Sequence, residues 1–289
     1  MTPKKATQQL TKQHNRDLVL RTIIENQRIS RADISRATKL TRATVSEVVS
    51  GLMAEGLVEE VGLDTSGNGK PSILLSLVPD SRYLIGLNLG QDKFIGAIVN
   101  LSGEIKETVE VPIVGSDGEK ALQFVYEILN QLLAKGWEPI IGIGIGTPGL
   151  VNTREGKVVD AVNLDWENLP LASLLQERYG LPVSVLNDSQ ATAIGEFVYG
   201  GHHSEGNLIV INVKHGIGAG ILINGQLFQG DDGSAGEIGH VRVHGNDLPC
   251  RCGQIGCLET LASAQAVVRR YNELSDEAQL VSLDEVEER

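Results

Sequence analysis

The chain has 289 residues, 41% of them hydrophobic and 21% charged, which is enough for two or three domains with cores of their own. No apolar run reaches the roughly 20 residues of a membrane helix, and the basic, polar start MTPKKATQQLTKQHNRD lacks the apolar segment of a secretory signal. With three cysteines and no sign of a disulfide framework, this composition points to the cytoplasm. The net charge of −12 is unevenly spread: the first 50 residues carry ten Lys and Arg against four Asp and Glu, a net of +6. A basic head on an acidic body confines any contact with nucleic acid to the head, because the body repels phosphate.

In the head, Leu18, Leu20, Ile23 and Ile24 recur at helical spacing from Asn15 to Gln27. Ser30 is placed to cap a second helix, Arg31 to Thr38, that turns Ile34 inward. After a break at Lys39-Leu40, Thr41 caps a third helix from Arg42 to Glu55, with Val45, Val48, Val49, Leu52 and Met53 in one stripe. Two short helices so spaced, the second opening on small polar residues and Arg, make a helix-turn-helix. Beyond Gly56, Leu57 to Val61, the tip DTSGNGKP and Ser72 to Leu77 read as a strand–tip–strand wing. Residues 1–79 are thus predicted to be a winged helix that binds double-stranded DNA. Thr41, Arg42, Thr44 and Ser46 would face the major groove with Arg31 beside them, and Lys70 would meet the backbone or minor groove. A helical dimerisation or protein-docking module has the same pattern and is the alternative.

The body, residues 80–289, opens as a meander: Tyr83 to Leu89, Phe94 to Val99 and Ile105 to Val111. A helix follows from Gly118 to Lys135, then a strand from Ile140 to Ile145 ending in the turn Gly146-Thr147-Pro148-Gly149. A hairpin spans Val151 to Val159 and a helix Leu171 to Tyr179. The strand Val183 to Leu186 delivers Asn187-Asp188 to a helix from Ser189 to Val198. The strand Asn207 to Val213 leads through the glycine-rich His215–Gly220 into a strand at Ile221 to Ile223. Strand–helix units with polar residues at strand ends suggest an α/β domain whose ligand cleft lies at those ends.

The run Gly236 to Glu259, GEIGHVRVHGNDLPCRCGQIGCLE, holds all three cysteines. Cys250, Cys252, Cys257 and His240 supply three thiolates and an imidazole, a complete tetrahedral shell for a structural zinc ion. Gly253 and Gly256 permit the tight turns of a chelating loop. Disulfide pairing fits poorly, since the count is odd and two of the cysteines are one residue apart. A chance cluster of small buried thiols is the remaining alternative.

This run resembles the signature of the ROK family (repressors, open reading frames, kinases), whose sugar kinases have the actin-like ATPase fold. GTPGLVN at 146–152, NLDWENLP at 163–170 and NDSQATAIGE at 187–196 match that family in order, and the head resembles the winged helix of its repressors of the NagC/XylR type. The resemblance covers about residues 12 to 270. It implies an α+β and α/β multidomain chain: a winged helix-turn-helix, then an actin-like, sugar kinase-like domain with a structural zinc site. It also implies a sugar site at Asn163, Asn187, Asp188, Glu237, His240 and Glu259, with His240 binding zinc through one ring nitrogen and sugar through the other.

Family kinases use the counterpart of Asp188 as the base, yet their phosphate loops are altered here. The D-x-G-G-T pattern is replaced by Asn88-Leu89-Gly90-Gln91-Asp92, and G-T-G-I-G-x-G by Lys214 to Gly220 with Lys and His at its head. Phosphoryl transfer depends on positioning and charge neutralisation, so the expectation is no catalysis, with Asp188 a vestigial base. The resemblance therefore implies a regulator that is a homodimer or higher homo-oligomer, most readily a repressor of carbohydrate genes such as those for xylose, released from operator DNA by a sugar or sugar phosphate. An ATP-dependent sugar kinase with an accessory head is the alternative. Family members usually continue well beyond Glu259, so a chain ending in the acidic SLDEVEER is expected to be either a fragment or a naturally shortened member.

Overall fold

The computed structural model describes residues 8–64, 71–90, 92–113, 118–202 and 206–274. The chain divides into two units, Met1–Tyr83 with Asn100–Glu104 and Leu84–Val99 with Ile105–Arg289. The first unit therefore runs slightly past residue 79 and takes in one later turn. Asn100 explains that turn: it is fully buried, donates to Asp80 Oδ1 and Glu104 Oε2 at 2.9 and 3.1 Å, and accepts the Ser102 and Glu104 amides at 3.0 Å.

The first unit is built from α1 (Gln8–Asn26), β1 (Ile29–Ser30), α2 (Arg31–Thr38), α3 (Arg42–Ala54), β2 (Val58–Asp64) and β3 (Ser72–Leu77). Helix α1 starts well before Asn15 because Gln8 to His14 tolerate helix without showing an apolar repeat. Ser30 and Thr41 cap α2 and α3, accepting the Asp33 and Thr44 amides at 3.2 Å each. Gly56, at φ 71°, ends α3 and turns the chain into β2. The three strands lie in the order β1-β3-β2, all antiparallel. Val19, Ile23, Ile34, Val45, Val49, Leu52 and Leu75 are fully buried between helices and sheet, each contributing about 1.5–3 kcal/mol of transfer free energy. The tip at 65–70, including Lys70, lies outside the described residues.

The second unit is organised on a sheet of order β11-β7-β4-β5-β6, formed by β4 (Tyr83–Leu89), β5 (Lys93–Asn100), β6 (Ile105–Pro112), β7 (Ile140–Thr147) and β11 (Val183–Asn187). Helix α4 (Gly118–Leu133) buries Ala121, Val125, Ile128, Leu129 and Leu132 at helical spacing. The predicted hairpin gains a third strand, so that β8 (Leu150–Asn152), β9 (Lys157–Ala161) and β10 (Trp166–Leu169) form a small sheet. Trp166 is buried and donates through Nε1 to the Gly118 carbonyl at 2.7 Å, which fixes this strand. Helix α5 (Leu171–Tyr179) leads to β11, which runs parallel to β7 with Asn187 opposite Thr147. Parallel strands ending together bring the Thr147–Gly149 turn and Asn187-Asp188 to one edge, where such sheets bind ligands.

Helix α6 (Asp188–Tyr199) packs against a third sheet of β12 (Leu208–Val213), β13 (Ile217–Ile223) and β14 (Gln226–Leu227). Strand β13 begins at Ile217 rather than Ile221, so most of the glycine-rich run is strand. The reason is packing: a Cβ at Gly220 would lie 2.3 Å from both Ala193 Cβ and the Ser189 carbonyl oxygen. Glycine here lets α6 sit against the strand. Helices α7 (Glu259–Ala262) and α8 (Ala264–Leu274) complete the described chain, and among the described residues no helix is long and apolar enough to cross a membrane.

Candidate functional site

A cleft of 670 Å³ opens in the second unit, lined by the ends of β7 and β11, the start of α6, the Lys214–Gly216 turn and the cysteine loop. The six sequence-predicted sugar residues, Asn163, Asn187, Asp188, Glu237, His240 and Glu259, all line it. They reach it from separate elements: Asn163 from a 3-10 turn after β9, Asn187 and Asp188 from the β11–α6 junction, Glu237 and His240 from a second 3-10 turn, and Glu259 from α7.

Asn187 is the N-cap of α6. Its Oδ1 accepts the Ser189 and Gln190 amides at 2.9 and 3.4 Å, and its Nδ2 donates to the Gly149 carbonyl at 3.0 Å. This residue ties the helix start to the turn after β7 as well as lining the cleft. Asp188 Oδ1 accepts the Ser189 amide at 2.7 Å, and its position in the first turn is favourable for a negative charge. Burial nevertheless pushes the Asp188 carboxyl above its ordinary range, against the Ser189 hydrogen bonds and the charge of Lys214, which pull it down. Burial also raises Glu237; His240 opposes this, while Asp188 and Glu259 add to it. These three acids make one wall of the cleft an acceptor surface suited to hydroxyl groups.

The cysteine loop meets this wall. The ligating atoms of His240, Cys250, Cys252 and Cys257 all lie within 4.8 Å of one another. Cys252 Sγ is 3.8 Å from Cys257 Sγ, and Cys250 Sγ is 3.7 Å from His240 Nδ1. Thiolates bound to zinc at about 2.3 Å stand about 3.8 Å apart across a tetrahedral edge, so the cluster has the size and donor set that a zinc ion requires. His240 turns Nδ1 to the thiols, while its Nε2 lies 3.8 Å from Glu237 Oε2. Burial and a 2.9 Å contact to Glu259 Oε1 push the Cys250 thiol up; a bound cation would offset both by favouring thiolate. Gly253 and Gly256 adopt φ of 84° and 89°, and a Cβ at Gly256 would lie 2.7 Å from the Asn246 carbonyl oxygen.

Two residues important to this architecture escape sequence reasoning. Asn246 is 8% exposed and donates to the Cys257 carbonyl and Thr260 Oγ1 at 3.0 and 2.9 Å, fastening the loop to α7. Arg251, between two of the cysteines, donates to Asn163 Oδ1 at 3.2 Å and Gln265 Oε1 at 3.0 Å. Arg251 was readable as a loop position only; its partner Asn163 is 88 residues away in the chain.

In the first unit, Arg42 and Ser46 on α3 are exposed, and their side chains form no hydrogen bond or ion pair among the described residues. Thr41 and Thr44 share a 2.9 Å hydroxyl contact at the helix start. Arg31 is placed differently from these four: it donates to Glu60 Oε1 at 3.0 Å and to Met53 Sδ at 3.4 Å. Its guanidinium is engaged between helix and wing, a bracing position rather than a free one.

Comparison with known proteins places these features together. The model of the ROK family matches residues 84–288, and that of a winged helix-turn-helix DNA-binding domain matches residues 15–59. The chain is 38% identical over 287 residues to the xylose repressor of Caldicellulosiruptor bescii, covering 96% of this chain and 72% of that protein. The structure of a ROK family transcriptional regulator, a homologue of the E. coli MLC protein, superposes with a TM-score of 0.80 at 29% identity, over 96% of this chain and 73% of that one. A ROK family glucokinase from Streptomyces griseus, in complex with glucose and AMPPNP, gives a TM-score of 0.60 at 34% identity over 66% of this chain and 60% of its own. The chain belongs to the ROK family, as a member that carries a winged helix-turn-helix ahead of its ROK domain.

Proposed function

We propose that this protein is a sugar-responsive, DNA-binding transcriptional repressor of carbohydrate genes, with a winged-helix domain over residues 1–79 and a sugar-binding domain over 80–289. The observation that carries the reading is the coexistence of an exposed α3 opening, Arg42 and Ser46 among it, with a cleft in the other unit lined by six polar side chains of the kind that can hydrogen-bond hydroxyl groups. Similarity to a xylose repressor across almost the whole chain supports it, and makes D-xylose the first inducer to try. Thr41, Arg42, Thr44 and Ser46 would meet the major groove of a palindromic operator, two protomers reading two half-sites. Zinc, held by His240, Cys250, Cys252 and Cys257, would fix the His240 ring so that Nε2 faces the sugar. A sugar relieves repression only through its differential affinity for the two states of the protein.

Operator binding measured by fluorescence anisotropy against salt and sugar tests this. Affinity is expected to fall steeply with salt, to weaken on addition of the inducing sugar, and to drop in Arg42→Ala with a salt slope smaller by about one. Binding indifferent to every pentose, hexose and sugar phosphate tried would overturn the reading.

A sugar kinase is the second reading, favoured by the glucokinase similarity and by the raised carboxyl of Asp188 at the cleft, as a base requires. The substituted phosphate loops, with Asn88 and the Lys214-His215 pair, argue against turnover. Sugar-dependent ADP release that vanishes in Asp188→Asn would decide for the kinase.

A further inference from the structure

The cysteine loop reaches beyond its own metal cluster at one point, Arg251. We infer that Arg251 is a positioning residue that couples the chelating loop to the cleft amide of Asn163; the consequence for ligand affinity rests on the sugar-binding reading above.

The geometry has three parts. Arg251 is bracketed by Cys250 and Cys252, so its backbone is fixed on both sides by residues of the metal cluster. The turn closes through the Cys250 amide to the Gln254 carbonyl at 2.8 Å and the Gly253 amide to the Cys250 carbonyl at 3.0 Å. From that turn the guanidinium spans two elements, donating to Asn163 Oδ1 at 3.2 Å and to Gln265 Oε1 on α8 at 3.0 Å. Arg251 forms no ion pair among the described residues, and both acceptors are neutral amides.

A guanidinium only donates, so whichever amide atom faces it must be the oxygen. Its bond to Asn163 therefore assigns that amide's orientation, with Oδ1 toward the loop and the two Nδ2 hydrogens left over. Those hydrogens are the donors Asn163 can offer a ligand hydroxyl in the cleft that the acceptors Asp188, Glu237 and Glu259 also line. Without the guanidinium the exposed amide can turn over, and a ligand must then freeze it at an entropic cost. The chelated turn holds Arg251 in place, Arg251 holds Asn163, and metal occupancy is thereby transmitted to a residue that is not a ligand of the metal. A lysine at 251 could give one point contact but not the two-ended span.

Two measurements on the full chain separate this link from the sugar reading. In asparagine-selective 15N spectra of the sugar-free protein, the Asn163 side-chain amide signals should shift or broaden on zinc chelation. They should be shifted alike in Arg251→Ala, and chelation should then move them no further; zinc content should stay at one per chain in that variant. Asn163 signals that ignore both changes would overturn the inference whatever the sugar does. In titrations with D-xylose, D-glucose, N-acetyl-D-glucosamine and glucose 6-phosphate, Arg251→Ala and Asn163→Ala should each weaken the bound probe by roughly five- to tenfold. The double variant should be no weaker than the poorer single one, and Arg251→Lys should recover only part. Additive losses would also sink the coupling. If the Asn163 signals respond as expected while no probe binds the parent protein, the link stands and the sugar-binding reading falls.

Discussion

Asp188 lines the cleft with a carboxyl whose burial sets its charge against the stability of the fold. Its carboxyl is raised by burial, so folding favours its protonated form. At a pH below the unfolded value of about 3.8 both states are protonated and burial of the charge costs nothing; as pH climbs through the unfolded and then the folded value, that cost develops in full. Asp188→Asn removes the charge while keeping an oxygen to accept the Ser189 amide. The variant should therefore be more stable than the parent in urea at neutral pH, with an advantage that grows or holds between about pH 5 and pH 8 and never shrinks. Sugar affinity should move the other way, falling roughly ten- to a hundredfold, the usual value of a hydrogen bond to a charged group. A variant that loses stability at neutral pH would show that Asp188 serves the fold rather than the ligand. Legibility at this scale follows side-chain chemistry: carboxylates, imidazole and thiols announce themselves, whereas Asn246 and Arg251 act through partners that only folding brings near. Arg31 marks the converse limit. Its charge was readable, but the proximity of Glu60 and Met53, which engages it, was not.

Among the elements, packing decides what periodicity cannot. Helices α2, α3 and α4 begin at the predicted residues, α2 and α3 behind their caps Ser30 and Thr41, and α3 stops one residue early at Ala54 because Glu55 becomes its cap. Strand β10 was invisible because Trp166-Glu167-Asn168-Leu169 is short and carries a positive φ at Asn168. The early start of β13 was hidden by glycines, which read as loop but serve close approach. That distinction is measurable. Gly220→Ala places a Cβ 2.3 Å from backbone and side-chain atoms of α6, and overpacking of this kind costs about 1–3 kcal/mol. Gly195 lies within α6 with nothing inside 4 Å of its added Cβ, so Gly195→Ala should instead gain up to about 1 kcal/mol from helix propensity. Thermal or urea melts of the two variants should therefore move in opposite directions. A Gly220→Ala protein as stable as its parent would mean that α6 does not rest on β13. Because Asn187 and Asp188 open α6, the same variant should also weaken sugar binding, whereas Gly195→Ala should not.

For the molecule as a whole, the two units differ in what holds them together. The first has a core of its own, from Val19 through Leu75, and none of the side chains of the His240, Cys250, Cys252 and Cys257 cluster. The second carries the whole cluster in a segment with little regular structure, from Gly236 to the start of α7 at Glu259. That segment is secured by scattered bonds: the Val243 amide to the Gly256 carbonyl at 2.8 Å, the Gly256 amide to the Leu248 carbonyl at 2.9 Å, and the Asn246 side chain to Cys257. Were zinc held by the cluster, this loop would depend on it, since binding to a site absent from the unfolded chain is folding free energy. Chelation of zinc should therefore act on one unit alone. Hydrogen exchange should accelerate across residues 240–262 and at the start of α8, while the amides of α1, α2 and α3 keep their protection. The loss should be reversed by zinc and not by magnesium, which prefers oxygen ligands. Exchange that rises equally in both units would show that the head borrows its stability from the metal-bearing unit, and unchanged exchange in the loop would show that the thiols and His240 need no ion. Under the expected outcome, the metal would order the loop that lines the cleft with Cys250 and Cys252 while leaving the helices of the winged-helix unit folded.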